Sequence, residues 1–176
     1  MSYFSTDFTL GILGGGQLGK MLLSETLKYD IRTIVLDPSR EAPARFGCHA
    51  FSQGDLMDFD TVYQFGKQAD LVTFEIENVN VDALERLEQE GVKVYPTPAS
   101  LRIIQDKGAQ KAFYKAHGIP TAPFEAFDSP SLLAAAVAQR GAAQGFVFGL
   151  FRRVFVGVVG NIVLDAQRRA LQVEGF

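Results

Sequence analysis

At the start of the chain, segments that are continuously apolar alternate with a segment in which apolar residues recur at helical spacing. The run Phe8–Gly14 is almost entirely apolar, which is typical of a strand covered on both faces. Between Gln17 and Tyr29 the apolar residues recur near helical spacing, so this segment is predicted to be a helix. A second, β-branched run, Ile31–Asp37, is followed by Pro38, which ends it. The pattern therefore begins with a strand, a helix and a strand.

The same alternation continues through the first 100 residues. After a looser stretch that predicts no element, the apolar residues of 59–65 indicate a second helix. Asp70–Asn78 is predicted to be a third strand, Val81–Gly91 an amphipathic helix that ends at a glycine, and Val92–Pro98 a fourth strand. Strands and helices that alternate at such short spacings predict an α/β fold, a doubly wound and mostly parallel sheet with right-handed crossovers.

The pattern changes twice after residue 100, which suggests three segments: 1–100, 101–140 and 141–176. Residues 100–117 have helical periodicity, 118–124 resemble a connector, and 129–140 are predicted to be a further helix. The segment 146–164 is apolar enough to raise the question of a membrane span. Two arginines near its middle, Arg152 and Arg153, would each cost about 2.5–3.5 kcal/mol in a bilayer, so we expect no span.

Composition and charge exclude several classes of protein. Apolar residues make up 47% and charged residues 21% of the chain, proportions typical of a globular protein. The net charge of −3 provides no basic field for nucleic acid or an anionic membrane, and neither is expected as a partner. Cys48 is the single cysteine, which fits a reducing cytoplasm and a small buried side chain. No signal peptide is predicted, and His49 and His117 lack neighbours at metal-ligand spacing.

A glycine-rich turn lies between the first strand and the first helix. Gly14, Gly16 and Gly19 form G-x-G-x-x-G in the context that this motif requires. The helix N-terminus beyond it favours oxygen-rich and anionic groups. Asp37 ends the second strand 18 residues after Gly19, like the ribose-binding acid of a dinucleotide site. The turn thus allows two interpretations, an NAD(P)-dependent oxidoreductase or a turn that only packs helix on strand.

Two glutamates near the end of the third strand favour a different ligand. We expect only one of the two, Glu75 or Glu77, to point into the crevice above the glycine turn, and the other to be solvated or to cap. A carboxylate there repels a pyrophosphate but accepts hydrogen bonds from ribose hydroxyls. Gln17 adds an amide that both donates and accepts. These features suit a small sugar phosphate better than a dinucleotide.

Four segments of the chain together resemble a known family. In order they are "GILGGGQLGKML", "VLDPSREAPA", "DLVTFEIENV" and "QDKGAQKAFYKAHGIPTAPF". They are similar to the N-terminal part of the N5-carboxyaminoimidazole ribonucleotide synthases, ATP-grasp ligases of purine biosynthesis. The resemblance extends over about two thirds of the chain, from Phe8 to Phe127, and the combination is far more specific than the glycine turn alone.

The resemblance implies both an activity and a domain organisation. Members of the family use ATP, with Mg²⁺ on its phosphates, and bicarbonate to carboxylate the exocyclic amine of 5-aminoimidazole ribonucleotide. Residues 1–100 would form the Rossmann-like pre-ATP-grasp domain, and 101–140 a linker helix and the incomplete start of the ATP-grasp domain. The segment 141–176 would be an atypical apolar tail without a family match.

The resemblance also implies roles for particular residues. The glycine turn and the third strand match positions that contact the ribonucleotide, namely Gly15, Gly16, Gln17, Leu18 and Glu75. Lys107 matches a basic residue that approaches the ATP phosphates, whereas Asp37 is interpreted as a capping or loop contact. No catalytic residue and no metal ligand are assigned within this chain.

The chain departs from the family after residue 140. The family would supply a lysine, a glycine-rich loop over the phosphates and an acidic Mg²⁺-binding pair, but no lysine follows Lys115. We interpret the abrupt change as an altered reading frame, with a divergent short product or a truncated chain as alternatives. Sequencing the coding DNA beyond Gln139 tests this, because one alternative frame should restore the glycine-rich loop.

Three hypotheses about function follow. The first is a part of the purine ligase that has no synthase activity alone. The second is an NAD(P)-binding oxidoreductase domain. The third is a non-catalytic binding or dimerisation module, whose expected partner is a second copy of the chain because an apolar tail can expose strand edges.

Overall fold

The computed structural model of the protein describes residues 5, 7–121, 129 and 131–132, together with the backbone of 148–151 and 154–157. The chain divides into two compact units, Met1–Arg102 and Ile103–Phe176.

The first unit is built on a five-stranded parallel sheet. Its strands lie in the order β3-β2-β1-β4-β5, so the chain moves outward from β1 in one direction and then returns to extend the sheet on the other side. The strands are β1 (Thr9–Leu13), β2 (Arg32–Asp37), β3 (Ala50–Gln53), β4 (Leu71–Phe74) and β5 (Lys93–Val94). The predicted doubly wound α/β fold is confirmed.

Helices and short turns connect the strands and cover both faces of the sheet. They are α1 (Gln17–Thr26) with a 3₁₀ turn (Leu27–Tyr29), a 3₁₀ turn (Pro43–Phe46), α2 (Phe59–Gly66), α3 (Val81–Gln89) and α4 (Pro98–Gln105). Successive residues of β1 point to opposite faces, so Leu13 joins a core cluster that includes Val62 of α2 and Leu84 of α3. Ile12 joins a smaller cluster that includes Leu23 of α1. Each face of β1 is therefore buried.

The structure corrects several predicted boundaries. The stretch in which no element was predicted contains β3, a short edge strand whose residues are exposed or half-buried. The third strand ends at Phe74 rather than Asn78, and the fourth contains only two residues because Pro96 cannot donate to the ladder. The helical segment after residue 100 is divided at Asp106, which is extended.

The second unit contains α5 (Lys107–Ala116) and a two-stranded antiparallel pair. Asp106 caps α5, since its Oδ1 accepts hydrogen bonds from the backbone N–H groups of Gly108 (2.9 Å) and Ala109 (3.0 Å). The pair consists of β6 (Phe148–Phe151) and β7 (Val154–Gly157). The helix predicted over 129–140 lies mostly outside the described residues. Within the described part of the chain, no helix is long and apolar enough to cross a membrane.

Asn80 joins the start of α3 to the loop before α2, which leads to a first prediction. Its Oδ1 accepts from Ala83 N (2.9 Å), and its Nδ2 donates to the carbonyl of Met57 (2.9 Å). We expect Asn80→Ala to lower the free energy of unfolding by about 1–2 kcal/mol, because the N–H of Ala83 and the carbonyl of Met57 each lose a hydrogen-bond partner. Urea unfolding of the full chain measures the change.

Asn80→Asp is the matched control, because it retains the helix cap but loses the donor to Met57. We expect it to be more stable than Asn80→Ala. An Asn80→Ala variant as stable as the wild type contradicts the prediction.

Candidate functional site

The glycine turn connects β1 to α1 at the carboxyl edge of the sheet. Gly14 has a φ of +99°, in the region that favours glycine, and its N–H donates to the carbonyl of Leu36 (2.9 Å). Gly16 is the residue that precedes the first turn of α1. Because β1 lies between β2 and β4, the turn is at the point where the strand order reverses, and α/β sheets bind ligands in the crevice at such a point.

Glu75 is the first residue after β4 and lies against this turn. Its N–H donates to the carbonyl of Leu13 (3.0 Å), which holds it beside β1. Its Oε1 accepts from the N–H of Gly16 at 3.1 Å. Within the described residues no group donates to its Oε2, and the side chain is half-buried. The carboxylate therefore retains an oxygen that can accept a hydrogen bond.

Asp37, the last residue of β2, holds the turn from the other side. Its Oδ2 accepts from Gly15 N and its Oδ1 from Ser39 N, both at 2.7 Å. This is the loop contact that was predicted for Asp37. Two carboxylates thus bind consecutive N–H groups of the turn, Asp37 at Gly15 and Glu75 at Gly16.

The other predicted ribonucleotide residues lie at the start of α1. Gln17 and Leu18 are exposed, and Leu18 is 61% accessible. The first turn of α1 contains no acidic residue and receives no side-chain cap. Gly15 is buried, and its carbonyl accepts from Ala44 N (2.9 Å). Of the four predicted positions of the turn, the structure places Gly16 in contact with Glu75, and it places Glu77 in an exposed position.

Lys107 belongs to the second unit. It is the first residue of α5, directly after the capping residue Asp106, and it is half-buried. Its assignment to the ATP phosphates stays a prediction.

One wall of the turn was not predicted from the sequence. The 3₁₀ turn Pro43–Phe46 supports Gly15, because Ala44 donates to its carbonyl and a Cβ on Gly15 would lie 3.1 Å from Ala42 Cβ. Pro43 at the first helical position was the available signal, since proline favours the start of a helical turn.

Metal-ligating side chains do not cluster in the part of the chain that is described. Among those residues, no group of three or more His, Cys, Asp and Glu side chains could hold a metal ion. His49 Nδ1 accepts from Thr33 N (3.0 Å), and the ring of His117 stacks on Phe113 at 4.0 Å. Both imidazoles thus have local contacts.

Cys48 leads to a second prediction. The thiol is half-buried against the cluster that contains Ile12 and Leu23, and it donates to the carbonyl of Arg45 at 3.6 Å. Burial raises the pKa of the Cys48 thiol because it disfavours the thiolate. We expect iodoacetamide to react more slowly with the folded chain than with the chain in urea, and its rate to rise at higher pH.

The chain unfolded in urea provides the control, since the same thiol is then fully solvated. The measurement is the alkylation rate across a pH series, followed by mass spectrometry. If the alkylation rate rises with the same pH midpoint in the folded and in the unfolded chain, the prediction of a raised pKa is contradicted.

The sheet order and the turn at its switch point define a Rossmann-like α/β domain. A family described as the ribonucleotide synthetase preATP-grasp domain matches residues 8–105, and the chain belongs to this family.

Proteins similar to this chain include several synthases. The N5-carboxyaminoimidazole ribonucleotide synthase of Brucella melitensis is 35% identical over 133 residues, which cover 76% of this chain and 36% of that protein. The N5-carboxyaminoimidazole synthetase of Staphylococcus aureus, solved with ADP, is 27% identical, with a TM-score of 0.74 over 99% of this chain and 46% of its own. The carboxyaminoimidazole ribonucleotide synthase of Aspergillus clavatus, solved with ATP, is 35% identical, with a TM-score of 0.69. The match covers 80% of this chain and 37% of that protein.

This chain spans only a part of its relatives. It covers 20% to 36% of the length of the curated proteins that it matches. These relatives are ribonucleotide synthases or carboxylases of the purine pathway, so the comparisons do not favour the NAD(P)-dependent oxidoreductase.

Proposed function

We propose that this chain is the ribonucleotide-binding N-terminal part of an N5-carboxyaminoimidazole ribonucleotide synthase. Such a ligase uses ATP and bicarbonate to carboxylate 5-aminoimidazole ribonucleotide. The observation that carries the proposal is the Glu75 carboxylate, which lies against the glycine turn at the switch point of the sheet. The similarity to synthases over 76% of the chain supports it.

Glu75 recognises the ribose in this proposal. Its Oε1 accepts the hydrogen bond from Gly16 N–H, and its Oε2 accepts one from a hydroxyl group of the ligand. A carboxylate can only accept hydrogen bonds, and each ribose hydroxyl is a donor. Gln17 and Leu18 then contact the remainder of the nucleotide from the first turn of α1, while Gly15 and Gly16, which have no side chains, leave room for the carboxylates of Asp37 and Glu75.

ATP binds beyond the first unit, and Lys107 approaches its phosphates. Mg²⁺ would accompany the ATP and neutralise charge on its phosphates, and no residue of the described part of the chain is assigned as its ligand. The organisation of the chain remains the one predicted: 1–100 as the pre-ATP-grasp domain, 101–140 as the start of the ATP-grasp domain and 141–176 as the tail. A homodimer and a cytoplasmic location complete the proposal.

Calorimetric titration of the full chain with 5-aminoimidazole ribonucleotide tests the ribose site. We expect binding in the wild type and a loss of affinity of about tenfold or more in Glu75→Gln, because a hydrogen bond to a charged acceptor is replaced by a neutral one. Glu77→Gln is the matched control, since Glu77 is exposed two residues further on, and it should bind like the wild type.

Titrations with ATP and NAD separate the alternatives. Heat from NAD but not from the ribonucleotide contradicts the proposal and supports the oxidoreductase. We also expect the purified chain to form no carboxylated product from ATP, bicarbonate and the ribonucleotide. Detection of that product would show that the chain is active alone.

A further inference from the structure

The glycine turn has the complete backbone of a pyrophosphate-binding turn. The first glycine of G-x-G-x-x-G makes the tight turn, and Gly14 does so with a φ of +99°. The third glycine permits close packing of helix on strand, and a Cβ on Gly19 would lie 2.6 Å from the carbonyl oxygen of Gly14. Both glycines therefore have the structural roles that the motif gives them in a dinucleotide site.

The place of the phosphate is nevertheless filled. The second glycine of the motif is the one that lets a pyrophosphate approach the backbone, and here it is Gly16. Glu75 Oε1 lies 3.1 Å from Gly16 N and 2.9 Å from the position of a Cβ on Gly16. The preceding N–H, that of Gly15, is bound by Asp37 at 2.7 Å. At the N–H groups of Gly15 and Gly16, a carboxylate oxygen of the protein thus accepts the hydrogen bond that a phosphate oxygen would otherwise accept.

We propose that Glu75 is a specificity-determining residue that excludes phosphate and pyrophosphate groups, and therefore dinucleotides, from the glycine turn. An incoming phosphate has to displace the carboxylate from Gly16 and then remain beside its negative charge. Asp37 likewise occupies the N–H of Gly15, so that a phosphate cannot bind there. A ligand enters this crevice with hydroxyl groups toward Glu75 and with its anionic group directed elsewhere.

The first turn of α1 explains why such a device is needed. It contains no acidic residue and its N-cap, Gly16, provides no side-chain hydrogen bond, so the carboxylates of Glu75 and Asp37 lie at the positive end of the helix dipole. Without Glu75, the N–H of Gly16 at the start of α1 would be open to an anion, although Asp37 would still bind Gly15 N–H. The inference concerns the ligands that the turn rejects, and it stands whether or not the ribonucleotide binds.

Glu75→Ala in the full chain tests the proposal, with inorganic pyrophosphate and ADP-ribose as the probes in calorimetric titrations. We expect negligible binding of both probes to the wild type and a gain in affinity of about tenfold or more in Glu75→Ala. Glu75→Gln removes the charge but keeps an oxygen for Gly16 N–H, so its gain should be smaller. Because Glu75→Gln preserves the shape of the side chain, its affinity for the two probes tests the proposal even if Glu75→Ala does not fold.

Glu25→Ala is the control for net charge. It removes one negative charge from the same helix, where Glu25 forms an exposed ion pair with Lys28 (2.6 Å). It should bind the probes as weakly as the wild type. The proposal is overturned if neither Glu75 variant gains affinity, or if Glu25→Ala gains as much as they do.

Discussion

Gly14→Ala is expected to lower the free energy of unfolding of the full chain by about 3 kcal/mol. Two costs combine at this position. The backbone has a φ of +99°, which an L side chain rarely adopts, and a new Cβ would lie 2.8 Å from both Cγ and Oε1 of Glu75. The carboxylate would have to leave Gly16, so the loss of stability should be accompanied by a weakened ribose site.

Gly91→Ala separates the two costs, because the φ of Gly91 is nearly the same as that of Gly14. Its φ is +91°, and nothing lies within 4 Å of a Cβ at that position. We expect it to lose only about 1–2 kcal/mol, the cost of the left-handed backbone alone. Urea unfolding of the two variants gives the difference, which measures the crowding between Gly14 and Glu75.

A double-mutant cycle attributes that crowding to Glu75. In a Glu75→Ala background, Gly14→Ala should cost about as much as Gly91→Ala does, because the atoms nearest to the new Cβ are gone. Equal losses for Gly14→Ala and Gly91→Ala in the wild-type background contradict the prediction. They would also place Glu75 further from the turn than the structure does.

Asp37→Ala is expected to lower the free energy of unfolding by about 2–3 kcal/mol. The carboxylate binds the N–H groups of Gly15 and Ser39, both at 2.7 Å, and Gly15 is buried. Removing the acceptor leaves a buried donor without a partner, which costs more than an exposed hydrogen bond contributes. Asp37→Asn should recover only part of the loss, since a carboxamide has one acceptor oxygen where the carboxylate uses two.

Asp55→Ala is the matched control for Asp37. Asp55 also accepts a hydrogen bond from a backbone N–H two residues later, that of Met57 at 2.8 Å, but in an exposed loop. We expect its loss to be below about 1 kcal/mol. Urea unfolding compares the variants, and faster hydrogen exchange at the Gly15 amide should accompany Asp37→Ala. A loss no greater than that of Asp55→Ala contradicts the role assigned to Asp37.

Much of the fold was predictable because its signals are local. β1 and β2 are buried on both faces, so their apolar runs are continuous, and α3 is amphipathic with a good N-cap at Asn80. β3 was missed because it is a four-residue edge strand that is only partly buried, so the sequence Ala50–Gln53 shows no apolar pattern. Asp106 divided a predicted helix because its side chain caps α5, which periodicity does not reveal.

The sequence by itself determined the strand-turn-helix unit, the glycines that allow it, and two acids near the ends of the second and third predicted strands. Only the tertiary structure decided what those acids do. Asp37 and Glu75 are separated by 22 and 59 residues from the glycines whose N–H groups they bind, and parallel pairing of β1 with β2 and β4 brings them together. The physical reason is that a spacing along the chain specifies which residues can meet at the edge of the sheet, whereas the direction in which a carboxylate turns depends on donors from other strands.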